Sequence, residues 1–305
     1  MNIIVFHQPY PQGNYKLNEF VAKHFKTQGH TVYLVEQLNG NPCTQEFIEL
    51  IKSVNPDVLY FEMLDKETFK AVEQLTCKKV LVYASRGILS KFEDIVNYYN
   101  KWYTHIYTNS LSLHKLFVSK NIPSEHFEYY FSCLSETECV KTPTYEHDCV
   151  FLGMGFSRIN DQHYQLERDL FFGGIPNINF AIYGNGWPNL PYYRGLLPAD
   201  DIGKLYTSAK SAIGIIGSGQ RSNGMINNRY TEMMYCGIPI FSLSYPTIEW
   251  YGGEQYINFI NNKADLVNLI SKLHTDECQR KAHAAKKFIR NMHNVFFEKL
   301  NQFIK

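Results

Sequence analysis

The sequence carries almost no excess of charge: 30 Lys and Arg face 29 Asp and Glu, for a net charge near +1. That balance supplies no global field to draw the chain onto nucleic acid or an anionic membrane, although a local basic patch is compatible with it. Long hydrophobic runs are missing too. The amino-terminal stretch MNIIVFHQPYPQG holds only a short apolar run, IIVF, too short for a signal peptide or a membrane span. Seven cysteines (Cys43, Cys77, Cys133, Cys139, Cys149, Cys236, Cys278) include no CxxC pair. Their odd count and scattered spacing speak against a disulfide framework or a zinc site and predict reduced, mostly buried thiols in a cytoplasmic protein. No low-complexity tract interrupts the chain. No DxD-like triplet stands at a predicted strand end either. Asp200 and Asp201 instead open a helix, where carboxylates meet the positive end of its dipole, so no essential metal is expected.

Aromatic residues are what the chain has in quantity, with 22 Tyr and 21 Phe. Packing accounts for most such rings, and flat amphipathic rings also suit stacking on a sugar or a base. A length of 305 residues suits two domains of about 150 residues each.

Hydrophobic patterning supports that division. Residues 3–6 (IIVF) form a continuous apolar run of the kind buried on both faces of a parallel sheet. A loop with Pro9, Pro11 and Gly13 follows, then a helix with Leu17, Phe20, Val21 and Phe25 on one face, then Gly29 and a strand at 31–35. Strand, helix and strand in ~35 residues make a βαβ unit. The alternation continues with helices at 46–54 and 66–75 and strands at 58–61, 79–83 and 106–108. A polar stretch, KTPTYEH at 141–147, marks a domain boundary. Beyond it come strands at 149–152, 180–183, 212–216 and 239–243, a helix at 228–235, and amphipathic helices at 264–273 and 276–294. A final helical stretch follows. The predicted organisation is an α/β chain with a domain at 1–146, a second at 147–285, and a helix at 286–305 returning to the first. Two doubly wound halves of this kind place a ligand cleft at the carboxyl ends of their sheets.

Loops that follow strands in the second half hold the most chemistry. In FLGMGFSR, Gly153 and Gly155 permit backbone N–H groups to approach a phosphate and Arg158 brings charge. IYGNGW exposes backbone and aromatic faces around Tyr183 and Asn185. In YRGLLP the backbone at Leu197 offers an edge for reading a base. The segment NNRYTEMMYCGIP is the most informative. Arg229 and Glu232 stand three apart on a helix and share a face, so an arginine at the helix start can meet a diphosphate while the carboxylate accepts both ribose hydroxyls. The competing reading is a surface ion pair.

The run NNRYTEMMYCGIPIFSL resembles the donor-site helix of GT-B glycosyltransferases, with FLGMGF, IYGNGW and RGLLPADDIGKLYTSAKSAIGI in the family's order. The resemblance covers residues 150–273 and is clearest to the spore-maturation-protein-like glycosyltransferases, with a looser likeness to phage DNA β-glucosyltransferases. It implies the GT-B fold, two Rossmann-like doubly wound domains facing across a cleft, and hexosyl or pentosyl transfer. The donor implied is a nucleoside diphosphate sugar (UDP first) used as co-substrate, with no tightly bound cofactor. The same resemblance assigns Glu232 to the donor ribose and Arg229 to the diphosphate, with Asn228 at the same helix start. Gly153 and Arg158 border the phosphates, Tyr183, Asn185 and Leu197 lie near the base, and Arg221 is a further phosphate ligand.

The first half is expected to bind the acceptor. Gly13 and Asn14 follow the first strand and Arg86 the fourth. An inverting transferase needs a base to deprotonate the acceptor hydroxyl; Glu62 ranks first, Asp65 second and His7 third. Two acceptor classes stay open: a hydroxymethylated pyrimidine in phage-type DNA, which would place the protein in the host cytoplasm, or a cell-surface glycan, lipid or protein. A UDP-sugar epimerase of the same fold is the alternative enzyme.

Overall fold

The computed structural model describes residues 1–7, 17–36, 45–61, 75, 77–83, 105–127, 132–155, 171, 175 and 177–305. Contacts divide the chain into two units, Met1–Glu128 with Lys299–Lys305, and Tyr129–Glu298.

In the first unit the short apolar runs do become parallel strands. They are β1 (Asn2–His7), β2 (Thr31–Glu36), β3 (Val58–Phe61), β4 (Lys78–Tyr83), β5 (His105–Thr108) and β6 (Ser124–His126), in the order β2-β1-β3-β4-β5-β6. Every pairing is parallel, with Ile3 opposite both Val32 and Val58. Parallel strands need crossovers that cover both faces, and the described ones include α1 (Leu17–Thr27), α2 (Gln45–Val54) and α3 (Leu111–Ser119). Ile4, Phe6, Ile51, Leu59, Ile106, Leu113 and Phe117 form one buried cluster between sheet and helices. The helix expected at 66–75 lies almost wholly outside the described residues. Patterning did not disclose α3, whose start is fixed by Ser110, the side chain of which accepts the Leu113 N–H, a serine N-cap.

The second unit repeats the plan. Its strands are β7 (Cys149–Leu152), β8 (Phe180–Tyr183), β9 (Ala212–Gly214), β10 (Ile240–Leu243) and β11 (Asn258–Ile260), ordered β11-β10-β9-β7-β8 and again all parallel. Its described helices are α4 (Ile202–Ser208), α5 (Ser218–Ser222), α6 (Asn228–Cys236), α7 (Pro246–Trp250), α8 (Lys263–Ser271) and α9 (Asp276–Ile304). In each unit the first strand sits between the second and the third, so the direction of strand addition reverses beside it. In doubly wound sheets that reversal opens a crevice at the carboxyl ends of the two flanking strands. For the second unit those strands are β7 and β9.

Two expected elements change. The strand expected at 212–216 stops at Gly214, because the next carbonyl, that of Ile215, receives Asn227 Nδ2 (2.7 Å) and Arg229 Nη1 (3.2 Å) in place of a ladder bond. The two helical segments expected after residue 276 are one continuous helix, α9, of 29 residues. No helix among the described residues is long and apolar enough to cross a membrane.

The last residues of α9 count with the first unit, where His24 meets Asn301 at 3.2 Å and Leu300 and Ile304 are buried. Leu300→Ala removes a fully buried side chain and should cost about 2–4 kcal/mol in urea unfolding. A loss below about 1 kcal/mol would mean that this end of α9 is not packed.

Candidate active site

The site builds outward from α6. Asn227 is its N-cap by position, with extended backbone, yet its side chain makes no capping bond. It donates to the Ile215 carbonyl instead. The first N–H groups of a helix lack intrahelical partners and carry the positive end of its dipole. With the cap side chain engaged elsewhere, that end of α6 is left without side-chain capping. At its far end Gly237, at φ 73°, stops the helix and donates to the carbonyls of Met233 and Met234.

Arg229, one residue into the helix, lies at the carboxyl ends of β7 and β9. Its Nη1 bonds the Ile215 carbonyl just past β9, and its guanidinium lies 4.9 Å above the ring of Phe151 in β7. Gly153, directly after β7, has no side chain for a steric reason. A Cβ there would fall 2.6 Å from Arg229 Nη2 and 2.9 Å from the Phe151 ring. The arginine is therefore oriented by an aromatic face, a carbonyl and a glycine, all on strand ends.

The two glycine loops are pressed together backbone to backbone. Gly153 N–H donates to the Tyr183 carbonyl (2.9 Å) and Gly155 N–H to the Asn185 carbonyl (2.6 Å). Trp187 Nε1 donates to the Gly153 carbonyl (2.8 Å). Gly184 has φ 130°, and a Cβ on it would sit 1.9 Å from that same carbonyl oxygen. No residue with a side chain fits that position.

Glu232 lies one turn after Arg229 and is only 5% exposed. Burial pushes its carboxyl up to about 8, against which the Arg229 charge pulls only in part. Among the described residues no hydrogen bond reaches the carboxylate, and no ion pair within 4 Å links it to Arg229. The surface ion pair that this spacing also allowed is thus not what the helix holds. Beside Glu232, on α4, stands Tyr206, 1% exposed and, among the described residues, without a hydrogen-bond partner for its hydroxyl. Burial, then the negative charge of Glu232, raise that hydroxyl well above the ordinary tyrosine range.

The remaining expected donor residues are placed as follows. Asn228 begins α6, and its carbonyl accepts Thr231 Oγ1 (2.8 Å). Arg221 lies in α5, before α6, with its guanidinium 4.7 Å above the Tyr245 ring. Leu197 is half-buried against the core, and its N–H and C=O make no hydrogen bond among the described residues. Asn185 is exposed at the tip of its loop. Tyr183 is turned inward, edge-on to Tyr145 and with its hydroxyl 3.0 Å from His147 Nε2. Gly153, Arg229 and the start of α6 are thus together, whereas the Tyr183 ring has Tyr145 and His147, which precede β7, as neighbours.

Arg158, Glu62, Asp65, Gly13, Asn14 and Arg86 lie outside the described residues. His7 is the last residue of β1, beside the strand reversal of the first sheet, and its backbone alone is described. Sequence reasoning missed Phe151 as the platform for Arg229, Asn227 as its co-donor and Tyr206 as the neighbour of Glu232. The last had only one signal, its place on the apolar face of Ile202, Leu205 and Tyr206. Among the described residues no group of three or more His, Cys, Asp or Glu gathers as metal ligands do.

Comparison with known proteins adds the fold's identity. The structure is similar to a glycosyltransferase from Rickettsia africae, with a TM-score of 0.62 at 14% identity over 100% of this chain and 98% of that one. It is also similar to a UGT transferase from Siraitia grosvenorii in complex with UDP, with a TM-score of 0.55 at 12% identity and full coverage of both chains.

This chain has the GT-B fold.

Within that fold, residues 165–295, which contain α6, match the family model described as glycosyl transferase-like. A UDP-GlcNAc 2-epimerase from Methanocaldococcus jannaschii shares the fold, with a TM-score of 0.56 at 10% identity over 96% of this chain and all of that one. No curated protein matches the sequence.

A carboxyl held near 8 in the folded chain but near its ordinary value in the unfolded one ties stability to pH. The folded state binds the proton more tightly, so the contribution is whole below about 4.5 and is lost as pH rises toward 8. Glu232→Gln removes this dependence while keeping the shape. Its unfolding free energy should therefore gain on the parent's between pH 5 and pH 8 and level off above, each pKa unit counting about 1.4 kcal/mol. A difference that stays flat across that range would place the carboxyl in water.

Proposed function

We propose that the protein is a glycosyltransferase that moves a hexose or pentose from a nucleoside diphosphate sugar, UDP-linked as the first choice, to a hydroxyl acceptor. The observation that carries the reading is the start of α6 at the strand reversal. An arginine and an uncapped helix end lie there, and one turn further in is a buried carboxylate that has no hydrogen-bond partner among the described residues. The first two suit a diphosphate, because fixed positive charge stabilises the leaving group as the glycosidic bond breaks. The carboxylate suits a ribose, whose two hydroxyls can both donate to it.

In this reading Arg229, the α6 N-terminus and the Asn228 position hold the diphosphate. Gly153 allows close backbone approach, Arg158 and Arg221 add charge, and Glu232 takes the ribose. The unpaired backbone edge at Leu197, with Asn185 and Tyr183 nearby in the chain order, receives the base. Protein cations thereby do what a divalent metal does elsewhere, and transfer is expected to persist in EDTA. The first unit supplies the acceptor groups Gly13, Asn14 and Arg86, and the base is Glu62, then Asp65, then His7. As acceptor a hydroxymethylated pyrimidine in DNA is tested first, and a cell-surface glycan, lipid or protein second. Support for a UDP-sugar comes from the solved relatives, one of which is in complex with UDP and another, from Phytolacca americana, with UDP-2fluoro-glucose and pterostilbene.

The alternative activity is that of the UDP-GlcNAc 2-epimerase, whose fold is similar. An epimerase converts the UDP-sugar with no acceptor present, whereas a transferase releases UDP and labels the acceptor. Incubation with radiolabelled UDP-sugars, with and without acceptor, separates the two. In calorimetry Glu232→Ala should weaken UDP binding by about 1.5–3 kcal/mol, roughly 10- to 150-fold, from the loss of charged hydrogen bonds. Unchanged affinity would remove Glu232 from the nucleotide site.

A further inference from the structure

Two of the seven scattered cysteines meet in the folded chain. Cys139 Sγ lies 3.7 Å from Cys236 Sγ, 97 positions away in sequence, and both thiols are free and half-buried. Cys236 is the last residue of α6, and it also contacts the Gly203 carbonyl of α4 at 3.8 Å. Cys139 follows a tight turn in which the Ser135 N–H and hydroxyl both donate to the Glu138 carboxylate (2.8 and 2.7 Å). That turn lies directly on α4, since a Cβ on Gly203 would fall 2.6 Å from the Glu138 carbonyl oxygen. The loop, α4 and the end of α6 therefore converge on one pair of sulfur atoms.

We propose that Cys139 and Cys236 form a dithiol that closes to a disulfide on exchange with a low-molecular-weight disulfide, and that closure bears on the nucleotide site through α6. The Cys139 thiolate attacks one sulfur of the small disulfide, making a mixed disulfide and releasing one small thiolate. Cys236 then loses its proton and attacks the Cys139 sulfur, expelling the second. Two protein thiols are oxidised to one S–S bond, one small disulfide is reduced to two thiols, and the protein's protons pass to them. The order of attack follows from the surroundings. Hydrogen bonding with Cys236 holds the Cys139 thiol below its ordinary value and Lys286 adds to this, while hydrogen bonding with Cys139 and burial hold Cys236 well above its own. A disulfide in a cytoplasmic setting is typically transient and regulatory.

Closure needs the sulfurs to approach by roughly 1.7 Å. Side-chain rotation supplies part of that approach, and the rest is shared by the Cys139 loop and the end of α6, both of which pack on α4 at Gly203. Cys236 stands four residues after Glu232 on the same face of α6. The shift is thus delivered to the helix that carries Arg229 and Glu232, and this consequence rests on the nucleotide-site reading above.

The test treats the native full-length protein with oxidised glutathione and maps its peptides without reduction. A Cys139–Cys236 cross-link, with loss of two hydrogens in mass and reversal by dithiothreitol, is expected. Cys236→Ser should instead retain glutathione on Cys139. A stable glutathione adduct on Cys139 of the native protein, a cross-link to another cysteine, or no reaction would overturn the proposal. UDP titration of reduced and closed protein then reads the coupling, with affinity expected to fall by about fivefold or more on closure and to recover on reduction. Equal affinity in the two forms would overturn the coupling. Failure of the reduced protein to bind UDP would instead contradict the nucleotide-site reading, while the peptide map would still decide closure.

Discussion

The second unit is organised around a carboxylate that its own fold does not satisfy. Glu232 is carried into the interior by α6, and among the described residues neither its carboxylate nor the neighbouring Tyr206 hydroxyl has a hydrogen bond. A buried ionised group is costly unless it is paired, and it responds by holding its proton. Arg229 is close enough to oppose that response but does not pair with the carboxylate, because its guanidinium is already committed to Phe151 and to the Ile215 carbonyl. A polar group kept unsatisfied in this way is a natural place for a ligand to bind, since hydroxyls delivered from outside can supply the missing bonds.

The scaffolding near that carboxylate follows from two constraints. Parallel strands leave their carboxyl ends free, and the reversal of strand order between β7 and β9 opens room there. The glycine loops after β7 and β8 then lie so close that Gly184 meets the Gly153 carbonyl directly, which fixes the backbone rim of the crevice. Ile215 completes it by leaving the ladder and accepting from Asn227, just before α6, and from Arg229 within it. Strand end, helix start and arginine are thereby locked together before any ligand arrives.

Much of this was legible in the sequence. Continuous apolar runs separated by helical periods disclosed both parallel sheets, and the GMG and GNG turns marked the strand ends where ligands gather. Arg229 and Glu232 stood out through their spacing on a helix ended by Gly237. Other features depended on tertiary contact and left no local trace. Tyr206 reads as one more core aromatic until its hydroxyl is found without a partner, and Asn227 reads as an ordinary N-cap until its side chain turns to Ile215. The contacts of the Tyr183 ring with Tyr145 and His147 likewise join residues far apart in sequence. The meeting of Cys139 with Cys236 is set by how α4 and α6 pack, which no local pattern encodes.

If ribose hydroxyls donate to Glu232, binding must convert a protonated carboxyl into an ionised one. Calorimetric titration of UDP at pH 7, repeated in buffers of different ionisation enthalpy, counts the protons released. With a free carboxyl near 8, the account predicts release of close to one proton per UDP bound, and none for Glu232→Gln. Tight UDP binding with no proton release, or the same release from Glu232→Gln, would contradict it.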